Sequence, residues 1–464
     1  MGTAHQLRTS GYEHLVGSAH PTDNWQESIM AQPGSIFCGS SDHGLSRRGF
    51  LGAAGAATAG TFAADMTRLD ALKNPLLAGE VKRQQKSVIL LWLAGGASQF
   101  ETWDPKPGRP TGGPYAKIKT NATDVHISEL LPKMAQRMNH TAIIRSINSK
   151  IGDHGGGASL METGRVKDPG LIYPDIGAIA ARELGRADSQ VPDYVSMYTS
   201  TEGRRKGTSG FLGARYAPMF LSDKQIPENM RRLEAISNDD HKDRAALRDL
   251  LSKRFTKARF SEKVNSHTTA YSRVHGLMSS EKLFDIEQEP ESVRAKYGPR
   301  QFAQQCLIAR RLVEAGTPFV KVARAWWDSH GQNFETHREL CADLDHAMAT
   351  LLDDLEERGL LENTLVVTLG EFGRTPGINA SLGRDHFANA WSCSLSGCGI
   401  RGGSVYGKTE PDGHTVADGE VGAAQVFATM LEALGIDHEK EYMIGSRPIP
   451  LADFGAKPIK EVLA

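Results

Sequence analysis

Four short apolar runs punctuate the chain at wide intervals: SVILLWLAGG (87–96), HTAIIRSI (140–147), TPFVKVARAW (317–326) and NTLVVTLGE (363–371). Each is rich in Val, Ile and Leu, continuous rather than alternating, and bounded by Gly or polar residues, the pattern of strands covered on both faces. Between them lie stretches of helical period. In THRELCADLDHAMATLLDDLEERG (336–359), Leu340, Leu344, Met348, Leu351, Leu352 and Leu355 make one apolar stripe, and Gly359 stands where a helix C-terminus favours glycine. A helix followed directly by a strand predicts an α/β sheet.

The pattern changes near 221–300. The stretch 229–260 is charged, helical in period and poor in β-branched runs, which predicts a helical insertion or cap over the sheet. After Ser404 a Gly-rich loop leads into GAAQVFATMLEALG (422–435), a helix expected to pack back on the sheet. At the other end, LSRRGFLGAAGAATAGTFAAD (45–65) sets Arg47 and Arg48 before a small-residue apolar run containing Ala57, Thr58 and Ala59. This has the form of a twin-arginine export signal, and the run is too short and too rich in Ala and Gly for a confident membrane span. The competing expectation is an ordinary Ala-rich helix. Residues 1–64 are therefore set apart from a single domain over 65–464, destined for the periplasm or cell envelope.

Composition narrows the partners. Lys and Arg (54) nearly balance Asp and Glu (55), so no strong field draws the chain to nucleic acid or anionic lipid, and a small molecule is the default ligand. The leader takes Cys38, leaving Cys306, Cys341, Cys393 and Cys398. An exported chain is permitted disulfides, and Cys393 with Cys398 could close a small loop; free buried thiols are the equal alternative.

The candidate chemistry gathers where strands end. After 88–100 come Glu101 and Asp104; after 319–327 come Asp328 and His330, with His337 beyond; after 365–370 comes Glu371, then Asp385 and His386. In open α/β sheets ligands bind outside the carboxyl ends of strands, so three such ends would converge on one edge. Carboxylate with imidazole suits zinc, manganese or iron, and oxygen-rich sets take calcium or magnesium. Glu371 ends a buried strand and needs a metal or an arginine, Arg374 or Arg384, to offset its desolvation. A further element, GDHGGGASLMETGR (152–165), turns from glycines into a helix whose free N–H groups could hold an anion. His154, just before that start, could serve as ligand, general base or nucleophile.

At these residues the chain resembles a bacterial family catalogued as domain of unknown function 1501. The resemblance is carried by VILLWLAGGASQFETWDPKP, GDHGGGASLMETGR, WWDSHGQNF and GLLENTLVVTLGEFGRTPGIN with GRDHF. The family is placed in the alkaline phosphatase-like superfamily, with sulfatases and phosphoglycerate mutases. The resemblance implies a three-layer sandwich with a mainly parallel sheet, and two metal ions held by Asp and His after the strands. By position, Glu101 matches the first-strand acid, Asp328 with His330 the Asp-plus-His strand end, Glu371 the late acid and His386 the loop histidine. Counting back from Thr163, Gly164 and Arg165 puts His154 at the nucleophile's place. The chain departs from sulfatases in having Phe372 after Glu371 and in lacking a cysteine suited to formylglycine.

The function these readings imply is an exported metal-dependent hydrolase of phosphate or sulfate esters. One or two divalent ions (zinc, manganese, calcium or iron) would sit at Glu101, Asp328, His330, Glu371, Asp385 and His386, with His154 catalytic and Arg165, Arg374 or Arg384 clamping the anion. The alternative is a catalytically silent binding or assembly protein of the cell envelope. An oxidoreductase is supported by no dinucleotide fingerprint, haem-attachment sequence or iron–sulfur cysteine run.

Overall fold

The computed structural model describes residues 85–186, 189, 191–198, 207–221, 235–258 and 281–464, all within one compact unit, Asp70–Ala464. The expected leader and much of the expected insertion lie outside the described residues. Of the latter, α3 (Asn238–Ala258) is described, with Leu247, Leu250, Leu251 and Phe255 exposed.

The four apolar runs become strands of one eight-stranded sheet, built from β1 (Ser87–Leu93), β2 (Thr141–Ile147), β3 (Tyr194–Tyr198), β4 (Met219–Leu221), β5 (Phe319–Arg324), β6 (Thr364–Leu369), β7 (Trp391–Gly397) and β8 (Val405–Tyr406). The order is β8-β2-β7-β6-β1-β5-β3-β4. All neighbours are parallel except β7, which runs against both β2 and β6. Every residue of β1 and β6 is buried, as continuous apolar composition requires.

Successive side chains of β1 feed two cores. Val88, Leu90 and Trp92 pack with α1 (His154–Thr163), α2 (Ile176–Glu183) and α6 (Ala423–Ala433). Ile89, Leu91 and Leu93 pack with α4 (Gln301–Glu314) and α5 (Asn333–Glu357). The result is a three-layer α/β sandwich, and each fully buried Leu or Ile contributes roughly 1.5–3 kcal/mol. The predicted stripe of α5 faces the second core, and Gly359 follows its end at φ +65°.

The parallel strands β1, β2, β5 and β6 all end at one edge, and β7 begins there. Two buried polar contacts tie the elements that carry this edge. Lys321, in β5, pairs with Glu162 of α1, with its ammonium 4.5 Å from the Trp92 ring centre. This links the helix that starts with His154 to the strand that leads to Asp328. Nearby, Asp175 caps α2, accepting from the Ala178 amide at 2.8 Å and the Tyr194 hydroxyl at 3.0 Å. Burial, with Glu162 close by, raises its carboxyl to about 6.

His337, on α5, is fully buried. Its Nε2 accepts the Ser98 amide at 2.9 Å and its Nδ1 faces the Asn333 carbonyl at 3.0 Å, so it fixes the loop after β1 as a neutral core histidine. Burial pushes its pKa down to about 4. The cysteines are likewise structural. Cys306, Cys341, Cys393 and Cys398 are all free and buried, so the loop 393–398 carries no disulfide. The Cys398 thiol faces the Ala433 carbonyl at 3.4 Å, and burial lifts the Cys393 thiol to about 12.

Two outcomes follow from these contacts. Lys321→Met leaves Glu162 buried without this cation and is expected to cost about 3–5 kcal/mol in urea unfolding; adding Glu162→Gln should recover much of the loss. The unfolded chain binds more protons at residue 337 than the folded chain between pH 6.5 and about 4, so this histidine makes stability rise with pH across that window. Its share, about 3 kcal/mol, should vanish from the stability–pH profile of His337→Gln.

Candidate functional site

The loop after β1 turns through Gly95 (φ +109°) and Gly96 (φ +82°). A Cβ at Gly95 would stand 2.3 Å from the Asp328 amide nitrogen, and one at Gly96 2.7 Å from the Phe372 ring, so only glycine lets these three strand ends close on one another. The segment after β5 passes through Trp326, at φ +78°, and buried Trp327 before reaching Asp328. β6 leads to Glu371, only 4% exposed, and Phe372, wholly buried. After β2, Asp153 caps α1 by accepting the Gly156 amide at 2.7 Å, and His154 is the helix's first residue. That amide, considered for an anion, is thus taken by the chain's own carboxylate. Gly157 brings the helix against the Glu371 backbone, where a Cβ would lie 2.8 Å from the Glu371 carbonyl oxygen.

The side chains converge on Asp328. Its Oδ2 lies 3.1 Å from His154 Nε2, and its Oδ1 lies 3.1 Å from His330 Nε2 and 3.2 Å from His386 Nε2. The rear nitrogen of each imidazole is held by another group: His154 Nδ1 by Glu371 Oε1 at 2.8 Å, His330 Nδ1 by Asp385 Oδ1 at 2.7 Å and His386 Nδ1 by the Gly152 carbonyl at 2.7 Å. Three rings therefore present Nε2 to one carboxylate. His330 and His386 bring their Nε2 atoms within 3.0 Å of one another. Ligand atoms of His154, Asp328 and His386 all lie within 4.8 Å of each other.

A histidine anchored through one nitrogen with the other turned inward is the usual disposition of a metal-binding imidazole, and the anchoring group sets tautomer and orientation. Nε2 and carboxylate oxygen together form a donor set for a borderline divalent cation, and the separations near 3 Å suit ligands with bonds of about 2.0–2.1 Å to one ion. The residues fit such an ion.

Electrostatics agree with this geometry. The hydrogen bond to Glu371 pushes the His154 imidazole above the ordinary histidine range, against the opposing effect of burial. Burial also works against ionisation of Asp328, but hydrogen bonds from His386 and Arg374 outweigh it and hold the carboxyl well below the usual carboxylate range. Asp385, at the exposed mouth, is lowered by its bond to His330. Glu371 Oε1 also accepts the Gly95 amide at 2.9 Å, while its buried Oε2 has no partner among the described residues.

Other candidates take different places. Glu101 is buried beside Arg384, Oε1 to Nη2 at 3.0 Å, and is not brought to the Asp328 cluster. Arg384 spends further donors on the Thr111, Thr375 and Pro376 carbonyls. Arg374 is fully buried and bonds Asp328 Oδ1 at 2.6 Å together with the carbonyls of Gly95, Gly96 and Arg384. Arg165 is turned toward the C-terminal segment, where it meets Asp453 at 2.8 Å and the Pro450 and Ala452 carbonyls. Most of their donors are thus engaged by protein acceptors, although Arg384 Nε has no partner among the described residues. Asp104 pairs with Lys106 at 2.9 Å.

The residue types did not announce three contributors. The Phe372 ring lies 4.3 Å from the His386 ring and 5.1 Å from the His154 ring, an apolar wall beside both. Asn379 donates to the His330 carbonyl at 2.9 Å and so steadies the mouth. The Gly152 carbonyl anchors His386 through a backbone atom, which no residue type advertises.

Comparison with curated protein sequences gave no match. Among solved structures the chain is similar to the PsFucS1 sulfatase from Pseudoalteromonas sp. (13% identity, 80% of this chain and 71% of that one, TM-score 0.37). It is also similar to the lipoteichoic acid synthase LtaP from Listeria monocytogenes (9% identity, 80% and 75%, TM-score 0.36). A third likeness is to a protein in the alkaline phosphatase superfamily from Vibrio parahaemolyticus (11% identity, 76% and 67%, TM-score 0.33). A family model described as Protein of unknown function (DUF1501) matches residues 85–463, from ahead of β1 almost to the C-terminal residue, and the chain belongs to that family.

Proposed function

We propose that this protein is an exported, metal-dependent hydrolase of phosphate or sulfate esters. The observation that carries the reading is the convergence of three anchored imidazoles on the Asp328 carboxylate. His154, Asp328, His330 and His386 hold the ion, while Glu371 and Asp385 stand behind His154 and His330 as orienting carboxylates. His154 is thus a ligand rather than a nucleophile. An imidazole-rich set favours zinc, manganese or iron over calcium, which prefers all-oxygen surroundings. The bound ion supplies Lewis acidity to an ester oxygen.

The chain's own groups do the rest. Glu371 keeps a proton on His154 Nδ1, leaving Nε2 as the donor atom, and Asp385 does the same for His330. Phe372 shields the inner side of the centre from water. The half-buried positions of Asp328 and His386 leave the centre open on its outer side to a small substrate. Export rests on the Arg47–Arg48 leader. Among the described residues, no helix is long and apolar enough to cross a membrane.

The test uses the full chain, stripped with chelator and reloaded with zinc or manganese, against p-nitrophenyl phosphate, bis(p-nitrophenyl) phosphate and p-nitrophenyl sulfate. Hydrolysis should appear on reloading and fall at least about 100-fold in Asp328→Asn and His386→Ala, the scale of losing an electrostatic contributor. Metal uptake without turnover of any ester would favour the envelope-binding alternative; absence of uptake would end the hydrolase reading. Glu371→Gln and Asp385→Asn should retain the site but weaken metal affinity about 10–100-fold, measured by competition with a chromogenic chelator.

A further inference from the structure

Backbone strain gathers at the same sheet edge. Among the described residues, the non-glycine residues at positive φ are Asp124 (+60°), Lys150 (+60°), Trp326 (+78°), Gln332 (+50°) and Leu382 (+56°). Asp124 apart, they lie on the segments that carry the centre: Lys150 ahead of His154, Trp326 ahead of Asp328, Gln332 after His330 and Leu382 ahead of Asp385. A bulky side chain at positive φ persists only where its surroundings hold it there, and such residues cluster at ligand sites.

Two of the four are large, apolar and turned outward. Trp92, Trp103, Trp327 and Trp391 are at most 5% exposed, whereas Trp326 is 55% exposed and Leu382 51%. The ladder shows how Trp326 comes to face out. Ala94 donates to the Arg324 carbonyl at 3.0 Å and accepts the Trp327 amide at 3.1 Å, so Ala325 and Trp326 bulge between these bonds. Ala325 and Trp327 turn inward and are buried, which leaves the indole between them on the outer side. Leu382 rides a loop held against the start of α5. The Gln332 amide donates to the Ser381 carbonyl at 3.0 Å and the Asn333 amide to the Leu382 carbonyl at 2.9 Å. A Cβ at the next residue, Gly383, would stand 1.9 Å from the His330 carbonyl oxygen. Leu382 thus flanks the exposed His330 and Asp385 end of the centre, while Trp326 leads into Asp328. Glycine at 326 would relieve the strained backbone, so the fold alone gives no reason for a tryptophan there.

We propose that Trp326 and Leu382 form a subsite for the organic part of the substrate, and that the ester carries a ring with an apolar face, aromatic or carbohydrate. This rests on the hydrolase reading above and adds its substrate class. An ester held at the centre by its anionic group directs its organic part to the open side, where these residues stand. The indole offers a flat face on which a ring stacks, and Leu382 adds an aliphatic contact. A methyl ester has nothing to place against either.

The test reads binding rather than turnover, so that it fails separately from the hydrolase reading. The full chain, stripped or loaded with zinc, is titrated calorimetrically with stable mimics of the esters. These are phenylphosphonate, a glucosyl C-phosphonate and methylphosphonate, with benzenesulfonate and methanesulfonate for the sulfate case. At least one ring ligand should bind roughly 3–10-fold more tightly than its methyl counterpart, the scale of an aromatic contact. Phenyl or glucosyl, whichever gains more, names the source of the ring. Trp326→Gly, whose backbone accepts φ +78°, should abolish that preference without weakening methylphosphonate. Trp326→Phe should keep most of it, and Leu382→Ala should reduce it. Equal binding of ring and methyl ligands, a preference that survives Trp326→Gly, or no binding of any mimic would overturn the subsite. Hydrolysis by the reloaded chain still judges the hydrolase reading by itself.

Discussion

The architecture of the sheet edge depends on one half-buried carboxylate. Asp328 meets three imidazole nitrogens and a guanidinium, and these partners come from the starts or ends of four separate chain segments. An ionised carboxyl so placed is costly unless its partners are held in advance. The structure holds them: each histidine is anchored through its rear nitrogen, and Arg374 is held by three backbone carbonyl oxygens. Exposure grades across the centre, from buried Glu371 through half-buried His154, Asp328 and His386 to exposed His330 and Asp385. Such a gradient keeps the anchoring side dry and the outer side accessible.

The surrounding fold exists in part to bring these segments close. Gly95 and Gly96 allow the β1 loop to touch the backbone after β5 and the Phe372 ring, approaches any side chain would block. The Lys321–Glu162 pair joins the strand that aims Asp328 to the helix that begins with His154. His337 fixes the β1 loop from behind through the Ser98 amide. Each device costs conformational freedom or desolvation, and their concentration behind one edge is what a preorganised centre requires.

Much of this was legible in the sequence. Continuous Val, Ile and Leu runs identified β1, β2, β5 and β6 because strands buried on both faces leave no polar alternation, and the stripe of α5 was plain from its period. The edge was legible because Asp328, Glu371 and the 385–386 pair follow strand ends. What the sequence could not show was side-chain direction. Glu371 and Asp385 have the chemistry of ligands, yet they face the rear nitrogens of two histidines. Glu101 occupies a comparable strand-end position, but Arg384 turns it away. The three arginines looked free to meet an anion because their partners, chiefly backbone carbonyls from distant loops, have no signature in residue type. Cys393 and Cys398 were equally silent on pairing, which geometry alone decides.

The central claim is that an ion here is bound mainly by imidazole around Asp328. X-ray absorption spectroscopy of the zinc-loaded protein tests it most directly. The expected spectrum shows a first shell of nitrogen and oxygen at about 2.0–2.1 Å with the outer-shell scattering of about three imidazole rings, diminished in His386→Ala. An all-oxygen shell without imidazole scattering, or a spectrum unchanged in His386→Ala, would contradict it.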